Sequence, residues 1–181
     1  MKTAEIVTLV GITLTFIIGV SNLLIVLFNA RKTTFINSVT TSRLKYIEEL
    51  RDAISELCSV IINLESEEEI NTEERTKLLK QINKLKCKIK LYLNPLYEYW
   101  DGKIIKLINE LEPGNYKRPE LQEKIDELIT MAQFLFNLEW EGVTRESERG
   151  IISGYEKRLM YEKHIGLYEE YIRSHKKNTN K

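Results

Sequence analysis

The sequence predicts an all-α protein: one N-terminal transmembrane helix followed by a cytoplasmic bundle of about five helices. Ile6 to Phe28 run without a charged residue, which at ~1.5 Å per helical residue gives roughly 34 Å, enough to cross a ~30 Å hydrocarbon layer. Beyond this run the apolar residues recur at helical spacing, and no stretch of comparable length alternates with period two. Three prolines and eight glycines in 181 residues leave long segments free of helix breakers. We divide the chain into an anchor with a short outer terminus (1–30), a helical domain (31–175) and a basic flexible tail (176–181).

A signal peptide is the alternative reading of the first segment. Its apolar run is about twice the 7–15 residues of a signal core, and Phe28 stands where a cleavage site needs a small residue, so a retained anchor is expected. Lys2 is offset by Glu5 before the run, whereas Arg31, Lys32, Arg43 and Lys45 follow it ahead of any acid. The positive-inside rule then places the N-terminus outside and the domain in the cytoplasm, at the inner face of the plasma membrane.

Polar and small residues gather on one face of the anchor. Thr8, Thr15, Asn22 and Asn29 fall at intervals of seven, with Gly19 and Glu5 within ~60° of the same line and Gly11 beside it. An amide at bilayer depth is unfavourable without a partner, and in a single-pass protein the obvious partner is another copy. This stripe is a candidate oligomer contact or water-facing pore lining, against the bland reading that Thr and Gly are tolerated in any membrane helix.

The first domain helix is expected over about 34–64. Ile36, Thr40, Arg43, Ile47, Leu50, Ile54, Leu57, Ile61 and Leu64 alternate steps of four and three, with Thr40 and Arg43 interrupting the seam near the membrane. The seam suits a helix packed on its own domain or a homo-oligomeric coiled coil. Nothing between Val20 and Ser42 is Pro or Gly, so this helix can continue the anchor directly.

Glu65 to Glu69 read as an acidic loop, and Asn71 with Glu74 three positions on is a capping signal for a second helix buried through Leu78, Ile82, Leu85, Ile89 and Tyr92. Asn94-Pro95 marks a kink or a restart before Ile104, Leu107, Ile108 and Leu111, and Pro113-Gly114 ends that helix. Pro119 and Glu120 open the next, with apolar positions Leu121, Ile125, Leu128, Ile129, Ala132, Leu135 and Phe136. The last helix is expected after Gly142, from Thr144, carrying Ile151, Tyr155, Leu159, Ile165, Tyr168 and Ile172 inward.

Charge is segregated although the chain is formally neutral. Residues 46–74 hold ten acids against Arg51 alone, whereas residues 75–90 hold seven cations and no acid. Mutual neutralisation in an antiparallel pair explains this economically. Lys80, Lys84 and Lys88 remain candidates for binding an anion, either the phosphates of an oligonucleotide or nucleotide signal or anionic lipid headgroups.

No constellation for catalysis, metal or cofactor is found: there is no glycine-rich phosphate loop, no paired Cys or His at ligand spacing and no nucleophile turn. The protein is expected not to be an enzyme and to need no cofactor. His164 and His175 read as surface or boundary residues, Glu48 and Asp52 as a solvated face, Trp100 and Trp140 as core aromatics, and Cys58 and Cys87 as small core residues in a reducing compartment.

The order of one span, a short basic exit and then the segment from Phe35 to Arg51, Phe-Ile-Asn-Ser-Val-Thr-Thr-Ser-Arg-Leu-Lys-Tyr-Ile-Glu-Glu-Leu-Arg, resembles the membrane-proximal part of small single-pass helical proteins of bacteria and their phages. Some proteins of similar organisation are channel-forming effectors of antiphage defence, including the Hailong type, in which a nucleotidyltransferase partner controls the effector through an oligonucleotide. The resemblance covers about a quarter of the chain. It implies a homo-oligomeric membrane effector controlled by its helical domain, with a signal or a partner protein encoded nearby; the competing expectation is a passive membrane-anchored scaffold.

Overall fold

A computed structural model describes residues 3–66, 70–94 and 97–179, apart from the side chains of Glu5, Arg31, Lys32, Phe35 and residues 176–179. The flanking cations Lys2, Arg31 and Lys32, the acidic residues 67–69, Pro95 and the side chains of the basic tail therefore lie outside the description. The described chain is all-α: α1 (Thr3–Ser66), α2 (Thr72–Tyr92), a π-helical turn (Glu98–Gly102), α3 (Lys103–Glu110), α4 (Arg118–Arg149) and α5 (Gly154–Thr179).

The apolar N-terminal segment and the first domain helix are one element. α1 runs 64 residues without interruption, roughly 96 Å at the helical rise. Its first part, Ile6–Ala30, is 25 residues long, apolar and wholly unburied; by length and composition it suits a membrane span, a test that a signal sequence also passes. Its second part is amphipathic. Ile47, Leu50, Ile54, Leu57, Ile61 and Leu64 are all buried at 4% exposure or less, so from Ile47 onward the seam is occupied by the protein's own domain rather than by another copy.

Three antiparallel pairings build the bundle, two of them on that seam. α2 runs back along α1, with Gln81 bonded to Glu56 and Tyr92 to Glu49. α4 also opposes α1, since Arg51 lies over the Phe136 ring and Arg43 reaches Glu146. α5 reverses along α4 through Lys163 to Glu141 and Lys157 to Glu146. Between the layers Ile82, Leu85, Ile89, Ile104, Ile108, Ile125, Leu128 and Met131 complete a continuous core.

Local chemistry sets the boundaries. Asn71 caps α2 by accepting the Glu74 N–H at 2.8 Å, as its spacing predicts. α3 stops before Pro113-Gly114, where Gly114 adopts φ +86°, a conformation with little steric cost only for glycine; its N–H donates to Glu65 at 2.8 Å. α4 opens with Pro119 in its first turn, where the missing N–H is no loss.

The last boundary differs from the expectation. α4 continues through Gly142 to Arg149, and the break falls at Gly150, φ +88°. Ser153 and Glu156 then close a capping box over α5: the Glu156 N–H donates to Ser153 Oγ, and the Ser153 N–H to Glu156 Oε2. Because α5 begins ten residues later than expected, Met160, His164 and Tyr168 form its buried line, while Ile151, Tyr155 and Leu159 are exposed. Four other assignments change with the packing: Trp140 is 58% exposed, Ile129 sits at the surface, Cys87 is exposed and His164 is buried.

Candidate functional site

The break of α2 after Tyr92 and the restart at the π-turn leave a hollow that the flanking helices do not fill. It measures about 940 Å³ and is walled by α1, the end of α2, the π-turn, α4 and α5, a size that suits a small-molecule ligand. Five tyrosines and Trp100 line it alongside Leu135, Leu138 and Met160. Trp100 is fully buried and packs edge-on against Tyr99 and Tyr168 and parallel to Phe134, so the aromatic wall is rigidly backed. Its indole Nε1–H is buried with no hydrogen-bond partner among the described residues.

Four carboxylates line this hollow, and two of them, Asp101 and Glu139, are withdrawn from solvent while Glu98 and Glu162 are exposed. Asp101 is 5% exposed and accepts the Asn94 N–H at 2.6 Å. Burial pushes its carboxyl up to about 6 against that hydrogen bond, and the Glu139 charge adds to the rise. Glu139 is itself raised by burial, with Arg43 and Lys157 pulling the other way. The Tyr46 phenol is pushed well above its ordinary value by burial and then by Asp101 and Glu139. Tyr161 is raised by burial and by Asp101, with the backbone N–H groups of Trp100 and Tyr99 bonding its oxygen in opposition. These four groups share one low-dielectric environment.

A polar clamp closes the hollow on the α1 side. Arg43 Nη1 lies 3.2 Å from Glu146, whose side chain is 7% exposed, and Lys157 lies 3.5 Å from the other carboxylate oxygen. Glu146 thus joins α1, α4 and α5. Glycine at 142 keeps this passage open: a Cβ there would lie 3.1 Å from Arg43 Nη1, close enough that the guanidinium would have to give by a few tenths of an ångström. Nearby, His164 Nε2 is 3.6 Å from Glu141; burial lowers the imidazole's pKa more than Glu141 raises it.

The anchor stripe is intact as a helical face. Thr8 and Thr15 satisfy their hydroxyls on the Ala4 and Gly11 carbonyls at 2.9 Å, and a Cβ at Gly11 or Gly19 would meet nothing within 4 Å. Asn22 and Asn29 are exposed. Of the stripe, therefore, the threonine hydroxyls are satisfied within their own helix.

Lys80, Lys84 and Lys88 are exposed on α2, none of them lining the hollow. Among the described residues no lysine of α2 forms an ion pair with α1; the direct polar contacts are the Gln81 and Tyr92 bonds. Glu49 is held low first by the Tyr92 hydrogen bond and then by the charges of Lys45 and Lys88. Lys86, one of the seven cations of residues 75–90, is buried, and burial lowers its pKa while Glu112 opposes the shift.

Sequence reasoning missed Asp101, Glu139 and Tyr161. The one available signal was Arg43, a cation placed in an otherwise apolar seam, which required an acid from elsewhere in the fold. Comparison with family models, curated proteins and solved structures returns no match for this chain.

Proposed function

We propose that the protein is a single-pass inner-membrane effector that homo-oligomerises through the polar face of its span and is switched by a ligand held in the domain cavity. One observation carries this reading: α1 is unbroken from the span to the cavity wall. Arg43 stands 13 residues beyond Ala30, about 20 Å along the same rod, so a change at the clamp and a rotation of the span are mechanically one event. The same continuity favours a retained anchor, since a signal cleavage would have to cut within a helix.

The register favours exposure of the stripe. Thr8, Thr15, Asn22 and Asn29 continue at steps of seven through Ile36, Arg43, Leu50, Leu57 and Leu64, and an ideal helix drifts ~20° per heptad. Over the four heptads from Asn22 to Leu50 that is roughly 80°, which turns the stripe away from the domain and toward other copies. Cations after the span support a cytoplasmic domain.

Controlled expression in bacteria with a membrane-potential dye tests the proposal. The effector reading expects depolarisation that Asn22→Leu suppresses without loss of membrane-bound protein. Accumulation of the chain with potential maintained would instead favour a passive scaffold.

A further inference from the structure

We infer that the cavity takes an organic cation, a protonated or quaternary amine on a small apolar or aromatic body, with its charge against Asp101 and Glu139. This rests on reading the hollow as a ligand site, and is independent of what the span does.

Charge pairing excludes the opposite ligand. The wall holds the cations Arg43, Lys157 and Arg158, but each has a carboxylate at ion-pair distance: Glu146 takes Arg43 at 3.2 Å and Lys157 at 3.5 Å, and Glu162 takes Arg158 at 2.8 Å. Asp101 has no cation at ion-pair distance among the described residues, and neither does Glu139. Counting Glu146 behind the wall, the carboxylates Glu98, Asp101, Glu139, Glu146 and Glu162 meet three cations, an excess of two negative charges, with Asp101 and Glu139 in a partly desolvated space. An anion entering there would face two unpaired carboxylates, whereas a cation would relieve their repulsion.

The remaining walls select the kind of cation. No group of three or more His, Cys, Asp or Glu among the described residues is arranged to hold a metal ion, as a hard cation with six or more oxygen ligands would need. The walls do suit an alkyl- or arylammonium: Tyr97 and Tyr161 stand with ring centroids 6.0 Å apart, and tyrosine faces attract cations. Within this domain the pairing already occurs, with Lys103 Nζ 3.6 Å from the centroid of Tyr99.

Isothermal titration of the full chain in mild detergent, with three probes of similar body and different charge, tests the inference. Tyramine is expected to bind saturably, 4-ethylphenol at least about tenfold more weakly, and 4-hydroxyphenylacetate not at all. Asp101→Asn keeps an oxygen for the Asn94 N–H and should erase tyramine's advantage over 4-ethylphenol; Glu139→Gln should reduce it. Equal binding of the three probes, preference for the anion, or no saturable tyramine binding to wild type up to about 10 mM overturns the inference. Failure of the effector reading is seen separately, as tyramine binding by a chain that leaves membrane potential unchanged.

Discussion

Gly142 gives Arg43 its path to Glu146: a Cβ would stand 3.1 Å from the guanidinium nitrogen, and Met160 Cε lies 3.6 Å away on the same side. A mid-helix glycine ordinarily costs about 1 kcal/mol relative to alanine. Here the cost is offset by letting a cation from α1 reach a buried acid of α4. Gly142→Leu is expected to displace Arg43 and destabilise the domain by about 1–3 kcal/mol, whereas Gly142→Ala should change stability by less, because helix propensity offsets the crowding. Urea unfolding of both variants checks this ordering.

Removing the cation should cost more than its partial exposure suggests. Arg43→Ala leaves Glu146 buried with Lys157 alone at 3.5 Å, and breaking a buried pair costs about 3–5 kcal/mol when no partner remains. With Lys157 still present we expect about 2 kcal/mol. Replacing both Arg43 and Glu146 by Met should recover most of it, as a double-mutant cycle would show.

Asp101 gives the domain a pH signature of definite sign. Its folded value, about 6, lies above the ordinary carboxyl value of 3.8, so between these values the folded protein binds the proton more tightly than the unfolded chain. Stability therefore falls as pH rises from about 4 to about 6, by about 2–3 kcal/mol in all, and Glu139 shifts in the same direction. His164 acts oppositely: its folded value lies below the usual 6.5, so stability rises as pH approaches 6.5 from below. Asp101→Asn should remove most of the loss between pH 4 and 6 and stabilise the protein at pH 7, measured by thermal unfolding across that range.

These residues also mark where the sequence was legible. The seam from Ile47 to Leu64 could be read because burial on one helical face leaves a period, and Asn71 and Pro119 because caps are local chemistry. Gly142 misled because glycine signals either a break or a close approach, and only the position of Arg43 decides between them. The true break was visible in Ser153 and Glu156, a capping box overshadowed by that glycine. Asp101 and Glu139 are far apart in sequence and lie among many acids; their shared burial is a property of how the π-turn meets α4, which no periodicity records.

Within the span, the threonines and asparagines should separate. Thr8 and Thr15 already bond their own helix, so Thr15→Val should leave assembly nearly unchanged. Asn22→Leu should weaken it by up to ~2 kcal/mol, the upper range for an interhelical polar contact. Mass measurement of detergent complexes over a dilution series distinguishes the two; an unchanged oligomer with Asn22→Leu would argue against the amide as the contact.

The most direct test of the account is the rigidity of α1 itself. Spin labels at Leu24→Cys and Asp52→Cys, with Cys58 and Cys87 replaced by Ser and labelled chains diluted in unlabelled protein, stand four heptads apart and roughly 80° round the same helix in a lipid nanodisc. An unbroken rod of 28 residues predicts a narrow distance distribution near 42 Å. A broad distribution, a distance shorter by about 10 Å or more, or loss of the pair through cleavage of the anchor would contradict a single helix joining span and cavity.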